Sequence, residues 1–104
     1  MAQFDVFENP NVETNQAVPF LLDVQADLLD ALSTRVVVPL VASSPLNKAI
    51  TRLSPQFTIQ NSTVFMSTGE LAGVSVRSFG EKVGSLKEQR HEILAALDFL
   101  FFGF

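Results

Sequence analysis

The only long helical pattern of this sequence lies near its end and constrains the fold more than any other feature. Residues 85–102 contain no proline and include several strong helix formers, and Gly103 after them predicts the end of a helix. Ser85 and Glu88 have the spacing of a capping box, which predicts that the helix begins at Ser85. The apolar positions recur at helical spacing and are Leu86, Ile93, Leu97 and Leu100, with Leu94 and Phe101 beside them. Such a stripe is enough to dock one helix onto a core.

Two aromatic side chains of this predicted helix lie away from its apolar stripe. The helical period of about 3.6 residues places Phe99 and Phe102 on the opposite side, among acidic residues. A monomer does not need two large aromatic side chains on a charged face in order to fold. They indicate either burial in a dimer interface or an exposed recognition tip, and a tip beside a twofold axis would combine both. Phe104 extends the aromatic character to the last residue.

The rest of the chain is typical of short strands. Alternating or β-branched apolar runs predict strands at residues 3–7, 20–26, 35–41, 56–60, 63–67 and 73–79. Pro39 removes one amide donor, so its part of the third strand is expected at an edge or a bulge. Asn61 and Ser62 predict the turn of a hairpin. Strands followed by one terminal helix predict an α+β domain with an antiparallel sheet.

Polar segments connect these predicted strands. Residues 8–19 lack hydrophobic spacing and predict a surface loop. Residues 27–30 begin and end with Asp, which suits a turn. Residues 43–55 form a second polar connection, in which Leu46, Ile50 and Leu53 have the spacing of a short helical turn.

Length and composition predict a single soluble domain over residues 1–104. Hydrophobic residues make up 47% of the chain and charged residues 17%, which is typical of a globular protein. The net charge of −4 argues against direct, sequence-independent binding of nucleic acid. With no cysteine there is neither a disulfide framework nor a thiol metal site, which fits a reducing cytoplasm. Neither a signal peptide nor an apolar run of membrane-spanning length is present, so we expect a cytoplasmic protein without a membrane partner.

The sequence offers no positive case for catalysis or for a cofactor. His91 is predicted on the exposed helix face, and a lone histidine cannot supply the ligands of a usual zinc site. A Ser–His–Asp arrangement stays open because its members converge in space rather than in sequence. Asp23 and Asp27 would share a face of a strand and could hold a hard cation. The alternative, which we favour, is that Asp27 and Asp30 cap a turn while Asp23 bonds to a neighbouring strand.

A series of short motifs, in the same order from the first strand to the last residue, resembles the CcdB toxins. The motifs are Gln3-Phe4-x-Val6, Asp23-Val24-Gln25-x-Asp27-Leu28-Leu29-Asp30, Arg35-x-Val37-Val38-Pro39-Leu40, Gly80-Glu81-x-Val83-x-x-Leu86 and Phe101-Phe102-Gly103-Phe104. Each motif alone is weak, but together they cover essentially the whole chain.

The resemblance implies a fold and a function. CcdB-like proteins are homodimers with an antiparallel SH3-like barrel-type sheet, a small accessory sheet and a long C-terminal helix. They are not enzymes but toxins of type II toxin–antitoxin modules, which typically maintain a plasmid. They bind the dimerisation region of the DNA gyrase A subunit and trap the gyrase–DNA cleavage complex. A cognate antitoxin, whose disordered C-terminal segment wraps the toxin, neutralises them.

The resemblance also implies where gyrase binds. The matching positions are Phe102, Gly103 and Phe104 at the tip, Asp98 and Phe101 on the helix, and the apolar pair Leu28 and Leu29. Three of these positions differ from the family, which has Trp at Phe102, Ile at Phe104 and Asn at Asp98. The ring of Phe is smaller than that of Trp, and Asp98 adds a negative charge to the contact. The loop at residues 8–16, basic in the best-known member, here contains two glutamates and no Lys or Arg.

Two alternatives to gyrase poisoning remain open at this stage. Messenger-cleaving toxins share the fold, so the chain could be an endoribonuclease, although the acidic balance and the single histidine count against a basic RNA groove and a catalytic cluster. The chain could also be a non-toxic paralogue that keeps the fold and sequesters antitoxin. Fold-level analogy alone does not separate these functions.

Overall fold

Seven strands and one α-helix follow one another in the computed structural model, which describes residues 1–43 and 52–104. The strands are β1 (Asp5–Glu8), β2 (Phe20–Asp23), β3 (Thr34–Val41), β4 (Gln56–Ile59), β5 (Ser62–Met66), β6 (Ala72–Ser75) and β7 (Lys82–Ser85). The helix α1 spans Arg90–Phe102 and follows a short 3-10 turn at Lys87–Gln89. No helix among the described residues is long and apolar enough to cross a membrane.

Strand β3 joins most of the sheet together. One of its edges pairs with β2, and its other edge is shared by β5, opposite Leu40 and Val41, and by β6, opposite Thr34–Val37. The strand order is β4-β5-β3-β2-β1-β7, with β6 as a side branch, and the pairings between these described strands are antiparallel. The prediction of an α+β fold with an antiparallel sheet and a C-terminal helix is confirmed. β5 and β6 are hydrogen-bonded to the rest of the sheet through β3, and β4 is joined to it through β5.

Pro39 lies inside β3, where a missing amide would normally interrupt the ladder. Its carbonyl accepts a hydrogen bond from the Ser67 amide at 2.9 Å, on the edge that β5 and β6 share. Because the N and O atoms of a strand residue point to the same edge, the missing N–H faces the gap between the β5 and β6 pairings. The sheet therefore loses no ladder hydrogen bond at Pro39.

The core lies between the sheet and α1. Its buried apolar side chains are Phe4, Val6, Phe20, Leu22, Val38, Leu40, Phe57, Ile59, Val64, Met66, Leu86, Ile93 and Ala96. Ile93 and Ala96 are the buried residues of the helix, and Leu97 packs against the same cluster. Leu94 and Phe101 are exposed, so these two members of the predicted apolar stripe lie outside the docked face.

Phe4 adopts an unusual backbone conformation just before β1. Its φ of 72° lies in the left-handed region that bulky residues rarely adopt. Three contacts offset this strain. The side chain is buried in the core, the N–H donates to the Asp23 carbonyl at 2.6 Å, and the carbonyl accepts from the Leu86 N–H at 2.8 Å. Phe4 thereby connects the end of β2 to the residue that leads towards α1.

A buried ion pair crosses from β2 to β3. Arg35 Nη2 lies 2.7 Å and Arg35 Nε 2.9 Å from Asp23 Oδ2, and neither side chain is exposed to solvent. Burial raises the pKa of Asp23, while the hydrogen bonds from Arg35 and from the Gln25 amide act in the opposite direction. Arg35 Nη1 also reaches Asp30 Oδ1 at 3.1 Å, and 65% of the Asp30 side chain is exposed.

The predicted start of the helix at Ser85 is wrong. Residues 82–85 form β7 instead and pair with β1, so Ser85 belongs to the sheet. Ser85 Oγ accepts a hydrogen bond from the Lys87 amide at 3.3 Å, which opens the 3-10 turn, and α1 itself has no side-chain cap. Strand pairing, a tertiary interaction, has here prevailed over the local capping signal of Ser85 and Glu88.

The predicted strand at residues 73–79 is correct only in its first half. β6 ends at Ser75, whose Oγ accepts a hydrogen bond from the Arg77 amide and starts a 3-10 turn at Val76–Ser78. The predicted hairpin is confirmed, with its turn one residue earlier than expected. Gln60 and Asn61 have φ of 50° and 67°, as a two-residue hairpin turn of the primed type requires. The helical turn predicted within residues 43–55 lies largely outside the described residues.

Replacing Ile93 by Ala tests the docked face of α1. Ile93 is fully buried, so the cavity should lower the free energy of unfolding by about 2–5 kcal/mol. The neighbouring Leu94→Ala is the matched control, because Leu94 is 42% exposed and its loss should cost less than about 1 kcal/mol. Urea denaturation at one fixed protein concentration measures both variants. Equal losses would show that the helix docks through a different face.

Replacing Asp23 by Ala tests the buried ion pair. It leaves the Arg35 cation without its buried partner, so we expect the free energy of unfolding to fall by about 3–5 kcal/mol. Asp30→Ala removes a largely exposed carboxylate from the same guanidinium and should cost at most about 1 kcal/mol. Thermal and urea denaturation measure the difference. Similar stabilities of the two variants would contradict the structural role given to Asp23.

Candidate functional site

The last residues of the chain form an exposed aromatic tail, residues 101–104. The exposed fractions of Phe101, Phe102 and Phe104 are 62%, 66% and 82%. Gly103 ends the helix with φ of 79°, a left-handed conformation that glycine adopts without strain, and its N–H donates to the Phe99 carbonyl at 2.9 Å. This turn brings the rings of Phe102 and Phe104 to a centroid distance of 6.5 Å. The tail therefore contains two neighbouring rings that pack against little of their own fold.

Phe99, one helical turn before Phe102, has a different environment. The Arg52 guanidinium lies over its ring at 4.1 Å from the centroid, and the side chain is partly buried. The sequence grouped Phe99 and Phe102 on one face, and the structure separates them: Phe99 stacks within the chain, whereas Phe102 is largely exposed. The ring of Phe99 therefore already carries a guanidinium from its own chain.

The second exposed apolar element is a short turn between β2 and β3, which we call the leucine turn (residues 26–32). Its 3-10 segment is Asp27–Leu29, and Leu28 and Leu29 are 94% and 48% exposed. Leu28 is the most exposed large hydrophobic residue of the described chain. Burial in the monomer therefore does not explain an apolar side chain at this position.

Hydrogen bonds hold the leucine turn from both sides. The Gln25 side chain donates from Nε2 to the Leu29 carbonyl at 3.1 Å and accepts at Oε1 from the Val36 amide at 3.0 Å. Asp27 Oδ1 accepts from the Gln3 amide at 2.6 Å. Asp30 at the end of the turn pairs with Arg35. The turn is therefore fixed to β3 and to the N-terminal segment.

The predicted site residues thus lie on two elements of the fold. Asp98 and the residues Phe101–Phe104 belong to the end of α1 and the tail, where Asp98 is exposed and adds a negative charge. Leu28 and Leu29 belong to the leucine turn. The monomer exposes both apolar groups, and they are held by different sets of hydrogen bonds.

The other candidates from the sequence have structural partners or are exposed. Asp23 bonds to Arg35 on the neighbouring strand, as the favoured alternative predicted. Asp27 and Asp30 do not cap their own turn, which was the other part of that prediction, because they bond to Gln3 and Arg35 instead. Within the part of the chain that the structure describes, no group of three or more His, Cys, Asp or Glu residues could hold a metal ion. His91 is exposed, as predicted.

Sequence reasoning missed the polar side chains that support the leucine turn. Gln25 and Arg35 are buried, although each was read simply as part of a strand. A signal was present, because a buried apolar strand that contains one arginine requires a carboxylate on a neighbouring strand. Choosing between Asp23 and the other carboxylates required the register of β2 against β3.

Solved structures with this fold include toxins from mycobacteria. An endoribonuclease in complex with its cognate antitoxin, from a mycobacterial species, has a TM-score of 0.77 at 12% identity over 97% of this chain and 94% of that chain. A second mycobacterial endoribonuclease has a TM-score of 0.72 at 13% identity over 97% and 90% of the two chains. Mycobacterium tuberculosis toxin MazF-mt6 has a TM-score of 0.68 at 15% identity over 79% and 84%. At these identities the likeness concerns the fold.

The sequence itself matches a family model. The model, described as CcdB protein, matches residues 3–103, which include β1, every later strand, α1 and most of the aromatic tail. The match agrees with the motif resemblance and with the fold of the toxins above. The chain therefore belongs to the CcdB family, as a toxin of a toxin–antitoxin module.

Proposed function

We propose that this toxin binds the A subunit of DNA gyrase and traps the gyrase–DNA cleavage complex. The observation that carries the proposal is the exposed aromatic tail, in which Phe102 and Phe104 remain 66% and 82% accessible at the end of an ordered helix. The family resemblance implies a gyrase contact at these positions. The toxin acts by binding alone, and its cognate antitoxin blocks the same action.

The tail offers a surface suited to a guanidinium. Stacking an aromatic ring on a desolvated arginine contributes on the order of 1–2 kcal/mol. Arg52 already stacks on Phe99 in this way, and Phe102 presents its ring one turn further along the helix. A gyrase arginine would bind Phe102 as Arg52 binds Phe99. The smaller ring of Phe, compared with the Trp of the family, makes this contact weaker without removing it.

The leucine turn would supply a second apolar contact with gyrase. Leu28 and Leu29 are exposed in the monomer, and burying them against gyrase would add hydrophobic free energy to the aromatic anchor. We propose that the toxin is a homodimer with the two tails beside its twofold axis. A symmetric toxin would then present two equivalent tips to the dimerisation region of gyrase A.

The antitoxin is proposed to bind through a disordered C-terminal segment. Glu8, at the end of β1, and Glu13, in the loop between β1 and β2, are exposed, so charge complementarity favours an antitoxin segment that is not strongly acidic in this region. With gyrase as its target the toxin would act in the cytoplasm. The module would maintain the plasmid that carries it, as is typical of the family.

An endoribonuclease is the competing function, because solved structures of this fold include such enzymes. Two features count against RNA cleavage. The buried Arg35 pairs with Asp23 and Asp30, so its positive charge is compensated within the protein and does not attract an RNA phosphate. The net charge of −4 opposes association with an RNA backbone.

The test is a gyrase assay with purified protein that scores DNA cleavage complexes and supercoiling. We expect the full chain to accumulate cleavage complexes, and a chain lacking residues 102–104 to produce none. Phe102→Ala should weaken binding to gyrase A roughly 5- to 30-fold, the equivalent of one lost stacking contact. Phe102→Trp, which restores the family residue, should bind at least as tightly as the natural sequence.

Val12→Ala is the matched control, because Val12 is 82% exposed but lies on the loop between β1 and β2. It should leave gyrase poisoning unchanged. Circular dichroism and light scattering confirm that each variant folds and keeps its oligomeric state.

Cleavage complexes that persist without residues 102–104 would contradict the role of the tail. RNA cleavage that survives this truncation would establish the endoribonuclease, and antitoxin binding without any effect on gyrase or RNA would indicate a non-toxic paralogue.

A further inference from the structure

The leucine turn is strongly exposed to solvent, yet several hydrogen bonds hold it in place. Leu28 is 94% exposed, so its side chain gains almost no hydrophobic free energy from its own fold. Nevertheless, the side chains of two residues outside the turn, Gln25 and Arg35, hold its backbone and Asp30, and the Asp27 carboxylate of the turn accepts a hydrogen bond from the Gln3 amide. A turn that only connects two strands does not require this support, because surface connections are normally free to move.

Arg35 is the centre of this support. Its buried pair with Asp23 fixes the guanidinium, and the remaining N–H groups then point to the turn. Nη1 lies 3.1 Å from Oδ1 of Asp30, the residue after the 3-10 segment, and Nη2 lies 3.4 Å from the carbonyl of Gln25, the residue before the turn. The guanidinium of the buried ion pair therefore contacts the chain on both sides of the 3-10 segment.

Gln25 continues the same arrangement. It is buried, and its amide connects β3 with the turn, because Oε1 accepts from the Val36 amide and Nε2 donates to the Leu29 carbonyl. Leu29 is thus held directly by a side chain that is itself held by β3. The position of Leu28 follows, since its neighbours on both sides, Asp27 and Leu29, are hydrogen-bonded.

We propose that Asp30 and Gln25 are positioning residues that hold the leucine turn in the conformation that binds gyrase. Asp30 acts through its ion pair with Arg35, and Gln25 through its hydrogen bond to β3. A turn ordered before binding loses less conformational entropy in the complex, which raises affinity without any added contact. The proposal rests on the proposed function, because gyrase is the partner that the turn would meet.

Asp30 is the residue that tests the proposal best. Its side chain is 65% exposed, and Arg35 retains its buried ion pair with Asp23 when the Asp30 carboxylate is removed. The protein should therefore still fold. Asp30→Ala removes the acceptor for Nη1. Asp30→Asn removes the charge but keeps an oxygen that can accept the same hydrogen bond. A positioning role requires the acceptor, whereas a direct electrostatic contact with gyrase requires the charge.

The experiment measures the affinity of each variant for purified gyrase A by calorimetry, together with hydrogen exchange of the free toxin. We expect Asp30→Ala to weaken binding roughly 3- to 10-fold, as for one or two side chains that must be ordered on binding. Exchange at residues 27–32 should become faster while the melting temperature stays close to that of the natural sequence. Asp30→Asn should bind within about twofold of the natural sequence, since it keeps the acceptor.

Glu70→Ala is the matched control. Glu70 is an exposed carboxylate that accepts a hydrogen bond from Ser67 and closes another 3-10 turn, at Thr68–Glu70. It should change neither the affinity for gyrase A nor the exchange of residues 27–32. This control separates the effect of holding the leucine turn from the general effect of removing a surface carboxylate.

The outcomes separate the two proposals. If the natural sequence binds gyrase A but Asp30→Ala binds equally well, or exchanges no faster at residues 27–32, the positioning role is overturned and the proposed function stands. If Asp30→Asn loses as much affinity as Asp30→Ala, Asp30 acts through its charge and the positioning role is again overturned. If the natural sequence does not bind gyrase A, the proposed function fails, and the positioning proposal fails with it.

Discussion

The Asp23 carboxylate and the Arg35 guanidinium form an ion pair that is fully buried in the interior of the protein. It joins β2 to β3, and β3 in turn joins β5 and β6 to the sheet. Removing either partner would leave a charge inside the protein, where an unpaired ion is very unfavourable. The same guanidinium reaches out to Asp30, whose side chain is largely in solvent. One arginine therefore connects the interior of the sheet to an exposed turn.

The two halves of α1 have different environments. Ile93 and Ala96 dock its first half onto the core, while its end and the residues after it carry the exposed rings of Phe102 and Phe104. Large exposed apolar groups are unfavourable in water unless a partner covers them. In a CcdB-family toxin, gyrase and a second copy of the chain are the partners that we propose to cover the tail.

The parts of the fold that depend on local sequence were predictable, and those that depend on register were not. The hairpin followed from alternating side chains and a polar turn, and the tail from the aromatic residues that the helical stripe does not use. The predicted start of the helix was wrong because Ser85 pairs with β1 within the sheet. The support of the leucine turn was missed because a single sequence does not show that Asp23 lies beside Arg35. Contacts between distant segments decide both points.

The most direct measurement is a hydrogen-exchange footprint of the complex between the purified toxin and the gyrase A subunit. We propose that gyrase contacts the aromatic tail and the leucine turn. We therefore expect slower exchange in the complex at residues 27–32 and 98–104, with little change in the hairpin at residues 56–66. Protection confined to other segments, or the absence of any complex, would contradict the assignment of this surface to gyrase.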